Sequence, residues 1–225
     1  MMGILGYWGA HLKTSESIAH TCRRELLNSQ QTAGNMLQKL LALNPLAKAL
    51  RAEKQLALAA MAAAAASVNP GAFQAALQWY QNVIRQQLSL DKVQRGLVTS
   101  ANLAISRGSV VARAKVLKKV KTLENKWEHF LKVEVRSVKS TAGILAVHPD
   151  VLAELAPAYE LNREFHRQQS SQLIWKKQMS VLPTQWLSHW THLKFTQIEF
   201  CAASIEQREH KWVAKPIRDK PLSSL

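Results

Sequence analysis

The sequence predicts an α+β protein in which long N-terminal helices, including an alanine-rich helical hairpin, are followed by a small antiparallel β-sheet. Three observations predict this class. Two dipeptides, Asn44-Pro45 and Asn69-Pro70, frame a segment of very high helix propensity. Apolar residues then recur at helical spacing as far as residue 130. From Leu131 onward apolar and charged residues alternate, which is typical of strands.

This change of period predicts a boundary in the chain. Residues 1–130 are expected to form the helical arm and hairpin region, and residues 131–225 a small antiparallel β module with short helices. At 225 residues the chain is long enough to bury a core. A hydrophobic content of 47% and seven Trp argue against a disordered chain.

The first helix is predicted to begin at Thr14–Ser17, where hydroxyl side chains precede the first turn. Its apolar residues follow a spacing close to 3.5 residues. It should end before Asn44-Pro45, because the residue before a proline disfavours the α region. In both Asn-Pro dipeptides we expect the Asn side chain to accept from free backbone amides, while Pro occupies a position that needs no N–H.

The helices that follow these two starts should pack as a close antiparallel hairpin. Alanine dominates the first arm over Leu56–Ser67, and large side chains recur on the second at spacings of four and three. The second arm is expected to break or kink at Ser106–Ser109. A further helix from Val110 has a short seam of apolar residues, namely Val116, Val120, Leu123, Trp127 and Phe130.

The C-terminal part mixes strand and turn patterns. Leu131–Arg136 and Thr141–Val147 are predicted strands, and His148–Asp150 is a predicted turn. Leu173–Met179 fits either a strand or the end of a helix.

The clearest hairpin lies last in the chain. A strand over Leu193–Ala202 leads to a polar turn at Glu206–His210, and Lys211–Ile217 returns. Pro216 marks the return strand as an edge or a strand end.

Positive charge is concentrated in one segment. The net charge is +15, and residues 107–139 contain ten Lys and Arg against three Asp and Glu. The predicted basic surface of the helix in this segment consists of Arg113, Lys115, Lys118, Lys119 and Lys121. Two interpretations stay open: a face that binds phosphates or anionic lipid head groups, and the solvated face of a packed helix.

The two cysteines, Cys22 and Cys201, lie far apart in the sequence. They could join the N-terminal arm to the C-terminal part in an exported protein, or stay reduced and buried in a cytosolic one.

The sequence predicts no catalytic, cofactor or metal site. Glycine-rich phosphate loops and nucleophile elbows are absent, and the one close histidine pair, His189 and His192, lacks further ligands in its neighbourhood. Trp186 and Trp190 are four residues apart and suit one helix face, so they are a candidate site for a partner.

Three segments together resemble pilin-like bacterial envelope proteins, in particular those associated with tight-adherence pili. They are the apolar, aromatic Met1–Leu12, the alanine-rich Leu56–Val68 and the hairpin Leu193–Ile217. The resemblance is architectural and covers about half of the chain. A membrane-length helix and a prepilin-peptidase site, both typical of that family, are not found in the sequence.

The resemblance implies a non-enzymatic subunit or accessory of a surface or secretion assembly, located in the cell envelope, with Cys22 and Cys201 oxidised. Its partners would be other envelope proteins, its own copies or an anionic lipid surface, and the N-terminal apolar stretch would be an anchor. The alternative from another class is a cytosolic basic protein that binds nucleic acid non-specifically through residues 107–139.

Overall fold

The computed structural model describes residues 2–127, 131–151, 155–181 and 194–217. It confirms the α+β class, with long helices followed by a small antiparallel sheet. The helices are α1 (Met2–Ala42), α2 (Asn44–Ala66), α3 (Pro70–Trp127) and α4 (Phe165–Gln169). The strands are β1 (Leu131–Thr141), β2 (Val147–Pro149), β3 (Tyr159–Leu161), β4 (Ser171–Val181), β5 (Lys194–Arg208) and β6 (Lys211–Pro216).

The chain forms two compact units, each built from separate stretches of sequence. The first unit consists of Met1–Gly34, Asn102–Ile144 and His166–Leu225, and the second of Asn35–Ala101 and Leu145–Phe165. Both α1 and α3 supply turns to each unit. The division into residues 1–130 and 131–225 stays a prediction.

In the first unit, the buried positions of α1 and α3 repeat every eleven residues. On α1 they follow spacings of three, four and four, and on α3 of four, three and four. An eleven-residue repeat corresponds to 3.67 residues per turn, close to the period of a straight helix. The stripe predicted on α1 is confirmed by the burial of Ile18, Cys22, Leu26 and Ala33, at a spacing slightly longer than 3.5 residues. The buried residues that follow this repeat are Ser15, Ile18, Cys22, Leu26, Ser29 and Ala33 on α1, and Ile105, Ser109, Ala112, Val116 and Val120 on α3.

Of the break or kink predicted at Ser106–Ser109, the break is wrong, because α3 continues without interruption to Trp127. Gly108 lies where α3 approaches α1 closely, at Ser29. A Cβ at this position would meet the Cβ and Oγ of Ser29. The glycine therefore permits close helix packing rather than ending the helix.

The main sheet has the strand order β1-β4-β5-β6, and all its pairs are antiparallel. The register of β1 against β4 shifts between Val135 and Ser137, which places a β-bulge at Arg136. The C-terminal hairpin is confirmed, with a tighter turn than predicted. Only Glu209 and His210 form it. Their φ angles of 45° and 66° are both positive, as the preferred turn of a two-residue β-hairpin requires.

One face of this sheet packs on α1 and α3. Leu173 and Trp175 on β4 and Cys201 and Ala203 on β5 are buried with the helical positions in one core cluster. Residues two apart on a strand face the same side, so these four line the inner face of the sheet. Leu173–Met179 is thus a strand, which resolves the two alternatives that its sequence left open.

A buried polar network also joins α1 to the sheet. The Gln30 Nε2 donates to the carbonyl oxygen of Gln169 at 3.0 Å and to Ser171 Oγ at 2.9 Å, and Gln169 Nε2 donates back to Gln30 Oε1. Gly143 N donates to Ser171 Oγ at 3.3 Å. The network satisfies polar groups that would otherwise destabilise the core.

Gly143 also explains why the strand predicted over Thr141–Val147 is wrong. Thr141 ends β1, residues 142–146 have no regular structure, and Val147 begins β2. A Cβ on Gly143 would meet the carbonyl group of Gln169, so the backbone runs too close to its neighbour for a ladder position. The predicted turn at His148–Asp150 is wrong for its first two residues, which belong to β2.

The second unit is built around a helical hairpin with a seven-residue repeat. Leu50, Ala57 and Ala64 are buried on α2, and Ala76, Val83 and Leu90 on α3. The strand pair β2–β3 is antiparallel. Ala156, from the segment before β3, packs in one cluster with Ala47, Leu50 and Leu90. The predicted hairpin is therefore present, with a heptad spacing of buried residues.

The two Asn-Pro starts differ in what their asparagines do. Asn69 Oδ1 accepts from Ala72 N at 3.1 Å, so the predicted cap of α3 is confirmed. Asn44 does not cap α2, whose cap residue is Leu43, without a side-chain hydrogen bond. Its amide instead pairs with the backbone of Tyr159, donating to the carbonyl oxygen and accepting from the N–H, each at 2.8 Å. A tertiary contact therefore replaces the local cap.

Asp150 fixes the segment after β2. It accepts two hydrogen bonds from the Arg51 guanidinium, at 2.9 and 3.0 Å, and one from Ala158 N at 3.0 Å. The Arg51 hydrogen bonds hold the pKa of this carboxyl below its ordinary value of 3.8. Because the ionised form is favoured in the folded state, its stabilising contribution is present above pH 3.8 and is lost as the pH falls through the lowered pKa.

We expect Asp150→Asn to destabilise the second unit by about 2 kcal/mol at neutral pH, since it removes charge-assisted hydrogen bonds. Urea unfolding of the wild type and the variant should converge as the pH falls below 3.8. The exposed Glu160→Gln on β3 is the control and should leave stability unchanged. A pH-independent difference would contradict the assigned role of the ion pair.

Gln87 is a buried polar residue in the heptad seam of α3. It is fully buried, and both its Nε2 and its Oε1 lack a hydrogen-bond partner among the described residues. We expect Gln87→Leu to stabilise the protein by about 1–3 kcal/mol, because a desolvated amide is replaced by an apolar group of similar size. Gln94→Leu, one heptad later, should give no such gain, because Gln94 donates to Pro157 O at 3.0 Å. Urea unfolding measures both, and a destabilised Gln87→Leu would contradict the prediction.

Candidate functional site

The structure pairs Cys22 of α1 with Cys201 of β5 in a disulfide, with 6.2 Å between their Cα atoms. Both cysteines are buried in the core cluster of the first unit, beside Leu26, Val116 and Trp175. The helical arm and the sheet are thus covalently joined at the centre of their packing. Of the residues singled out from the sequence, these two are brought together most directly.

The five predicted basic residues divide into two groups on α3. Lys115 Nζ forms an ion pair with Glu25 Oε1 at 2.7 Å. Lys119 Nζ donates to Thr21 Oγ1 at 2.7 Å and to Ser17 Oγ at 3.0 Å. These two cations are therefore held against α1, and they stabilise the packing of α1 on α3.

The other three cations, Arg113, Lys118 and Lys121, are exposed. Arg107, which the sequence analysis left out of the basic surface, is exposed on the same helix. The segment 92–123 contains no Asp or Glu at all. The outward side of α3 up to residue 123 is therefore a cationic surface without acidic residues of its own.

An apolar stripe runs along this cationic surface, and sequence reasoning missed it. Leu103, Val110 and Leu117 are exposed by 47%, 64% and 41% of their surfaces. They are seven residues apart, so they lie almost in one line along the helix. Their seven-residue spacing is visible in the sequence. The helix was predicted from the inner seam that includes Val116 and Val120, so the exposed stripe was not needed for that prediction and was overlooked.

Other predicted site residues have different outcomes. Trp186 and Trp190, the candidate partner site, and the pair His189 and His192 lie outside the described residues. Within the described ranges, no three His, Cys, Asp or Glu side chains come together as they would around a metal ion. The N-terminal apolar stretch from Met2 begins α1. No helix in the described part of the chain combines the length and apolar character needed to span a bilayer.

The exposed cations and apolar groups of α3 are suited to binding. The disulfide fixes two elements, and the outward side of α3 offers cations and apolar groups to a partner. Comparison of the chain with protein-family models, with curated proteins and with solved structures gave no match.

Proposed function

We propose that this protein is a non-enzymatic structural or interaction protein of a bacterial-type cell envelope, as an accessory subunit of a pilin-like or secretion assembly. The observation that carries the proposal is the buried pairing of Cys22 with Cys201. Disulfides form and persist in oxidising compartments outside the cytosol and are rare inside it.

Two exposed surfaces support a binding role. The α2–α3 hairpin exposes Leu56 by 61% and Val68 by 86%. Residues 55–84 of this hairpin contain no charged residue. A protein with a net charge of +15 repels its own copies, so an uncharged surface is where like chains can approach. Other envelope proteins and further copies of this chain are the partners that we propose.

Fractionation of native cells tests the compartment. Membranes are extracted at alkaline pH, and the protein is denatured before the thiols of Cys22 and Cys201 are labelled, with and without prior reduction, because both cysteines are buried in the fold. We expect protein in the envelope fraction whose thiols react only after reduction. Cys201→Ser is the control, since it leaves Cys22 free to react without reduction. Protein in the cytosolic fraction whose two thiols both react without reduction would overturn the proposal.

A second candidate function is non-specific nucleic-acid binding by a cytosolic protein through residues 107–139. The exposed cations Arg113, Lys118 and Lys121 favour it. In that case the logarithm of the affinity for duplex DNA should fall linearly with the logarithm of the salt concentration. Lys118→Gln should reduce the slope by about one, whereas Lys119→Gln, whose amine is bound to α1, should not. Affinity that does not change with salt would exclude this function.

A further inference from the structure

The outward face of α3 between Leu103 and Lys121 is amphipathic in its own right. Its axis is the stripe of Leu103, Val110 and Leu117, with Ala114 between the last two. At 1.5 Å per residue the face is about 27 Å long. The opposite face of the same helix is buried against α1 and the sheet, so the core of the first unit does not cover this stripe.

Exposed cations border the stripe on both sides. At 100° per residue, Arg113 lies on one side of the line through Val110 and Leu117, and Arg107 and Lys118 lie on the other. Lys121 continues the stripe one turn beyond Leu117. Apolar groups in the centre with long cationic side chains at the borders are typical of helices that lie in a membrane interface.

We propose that this face of α3 docks on the surface of a bilayer that contains anionic lipids. Leu103, Val110 and Leu117 enter the boundary between head groups and acyl chains. Arg107, Arg113, Lys118 and Lys121 extend toward the lipid phosphates, their aliphatic stems covering apolar surface. The partner of the basic surface is then an anionic bilayer. That the protein meets such a bilayer in the cell rests on the proposed envelope function.

The apolar stripe favours lipid over nucleic acid as the occupant of this face. Phosphate contacts of a nucleic acid require cations and hydrogen-bond donors, and exposed Val and Leu add nothing to them. A bilayer, in contrast, offers both anionic groups and an apolar layer a few ångströms deeper. Shortening the apolar side chains should therefore weaken binding to vesicles and leave binding to a polyanion unchanged.

Vesicle flotation of the full-length oxidised protein tests the proposal. Vesicles of phosphatidylcholine alone are compared with vesicles of phosphatidylcholine and phosphatidylglycerol in equal parts, and duplex DNA is the polyanion. Of the two vesicle types, we expect the wild-type protein to bind the anionic one and not the one of phosphatidylcholine alone. The apolar variant Val110→Ser/Leu117→Ser should bind them about tenfold or more weakly and bind DNA as the wild type does. Lys118→Gln/Lys121→Gln should bind the vesicles about 30-fold more weakly.

A control variant removes the same residue types from another exposed element of the first unit. Lys211→Gln/Val213→Ser alters two exposed positions of β6 and should bind the anionic vesicles as the wild type does. Wild-type vesicle binding by the apolar variant would overturn the proposal, as would binding of the protein to DNA but not to anionic vesicles. Equal loss in the β6 control would also overturn it, because the binding would then follow total charge rather than this face.

The outcome is separable from that of the compartment test. Oxidised envelope protein that does not bind anionic vesicles overturns the docking face and leaves the envelope function standing. Reduced cytosolic protein that binds them through Val110 and Leu117 overturns the compartment and keeps the docking face.

Discussion

Removal of the disulfide between Cys22 and Cys201 is expected to destabilise the protein by about 2–5 kcal/mol. The two cysteines are 179 residues apart, so the bridge closes a very long loop in the unfolded chain. In the chain-entropy description a longer loop gives a larger stabilisation, near the upper end of this range. The effect is a large fraction of the total stability of an ordinary domain.

Urea unfolding of the oxidised protein, the reduced protein and Cys22→Ala/Cys201→Ala measures this effect. The reduced protein and the double variant should unfold at similar, lower urea concentrations than the oxidised protein. The reduced wild type serves as the control for packing, because it retains both sulfur atoms in the core. Coincident unfolding of the oxidised and reduced proteins would show that the bridge does not stabilise the fold.

Gly143→Ala is expected to destabilise the first unit by about 3 kcal/mol. The new methyl group would meet the carbonyl group of Gln169 and the oxygen of Ser170, which are backbone atoms and cannot rotate away. Relief requires a backbone shift that also breaks the hydrogen bond from Gly143 N to Ser171 Oγ. The substitution therefore acts on the polar network that joins α1 to the sheet.

A matched control is available at Gly96, in the middle of α3. A Cβ there meets nothing within 4 Å, so Gly96→Ala should stabilise the protein by about 1 kcal/mol through its higher helix propensity. Thermal or urea unfolding of both variants gives opposite signs if the reasoning holds. A neutral Gly143→Ala would mean that the loop before β2 moves away from α4 without cost.

The elements that sequence predicted correctly are those whose signal is local. The cap at Asn69 depends on a side chain and an amide three residues away. The C-terminal hairpin depends on alternation around a short polar turn. Both are decided within a few residues, so propensity and period suffice. The antiparallel α2–α3 hairpin was likewise predictable, because a short turn leaves two amphipathic helices no other nearby partner.

The errors have a common origin in contacts between distant parts of the chain. Asn44 pairs with Tyr159 instead of capping its helix, and Gly108 meets Ser29 instead of ending one. Glycine and asparagine have both local and tertiary uses, and the sequence cannot say which applies. For the same reason, the sequence predicted only part of the candidate site. Cations were visible as a cluster, but which of them α1 would bind depended on Glu25 and Thr21.

The seven-residue repeat of the α2–α3 hairpin makes its length adjustable. Buried positions on each arm return to the same face after one repeat, so removing or adding seven residues on both arms preserves the seam. Each such step changes the reach of the hairpin by about 10 Å. The hairpin can therefore lose or gain whole repeats and still present the same tip, whereas α1 and α3 in the first unit can change only in steps of eleven.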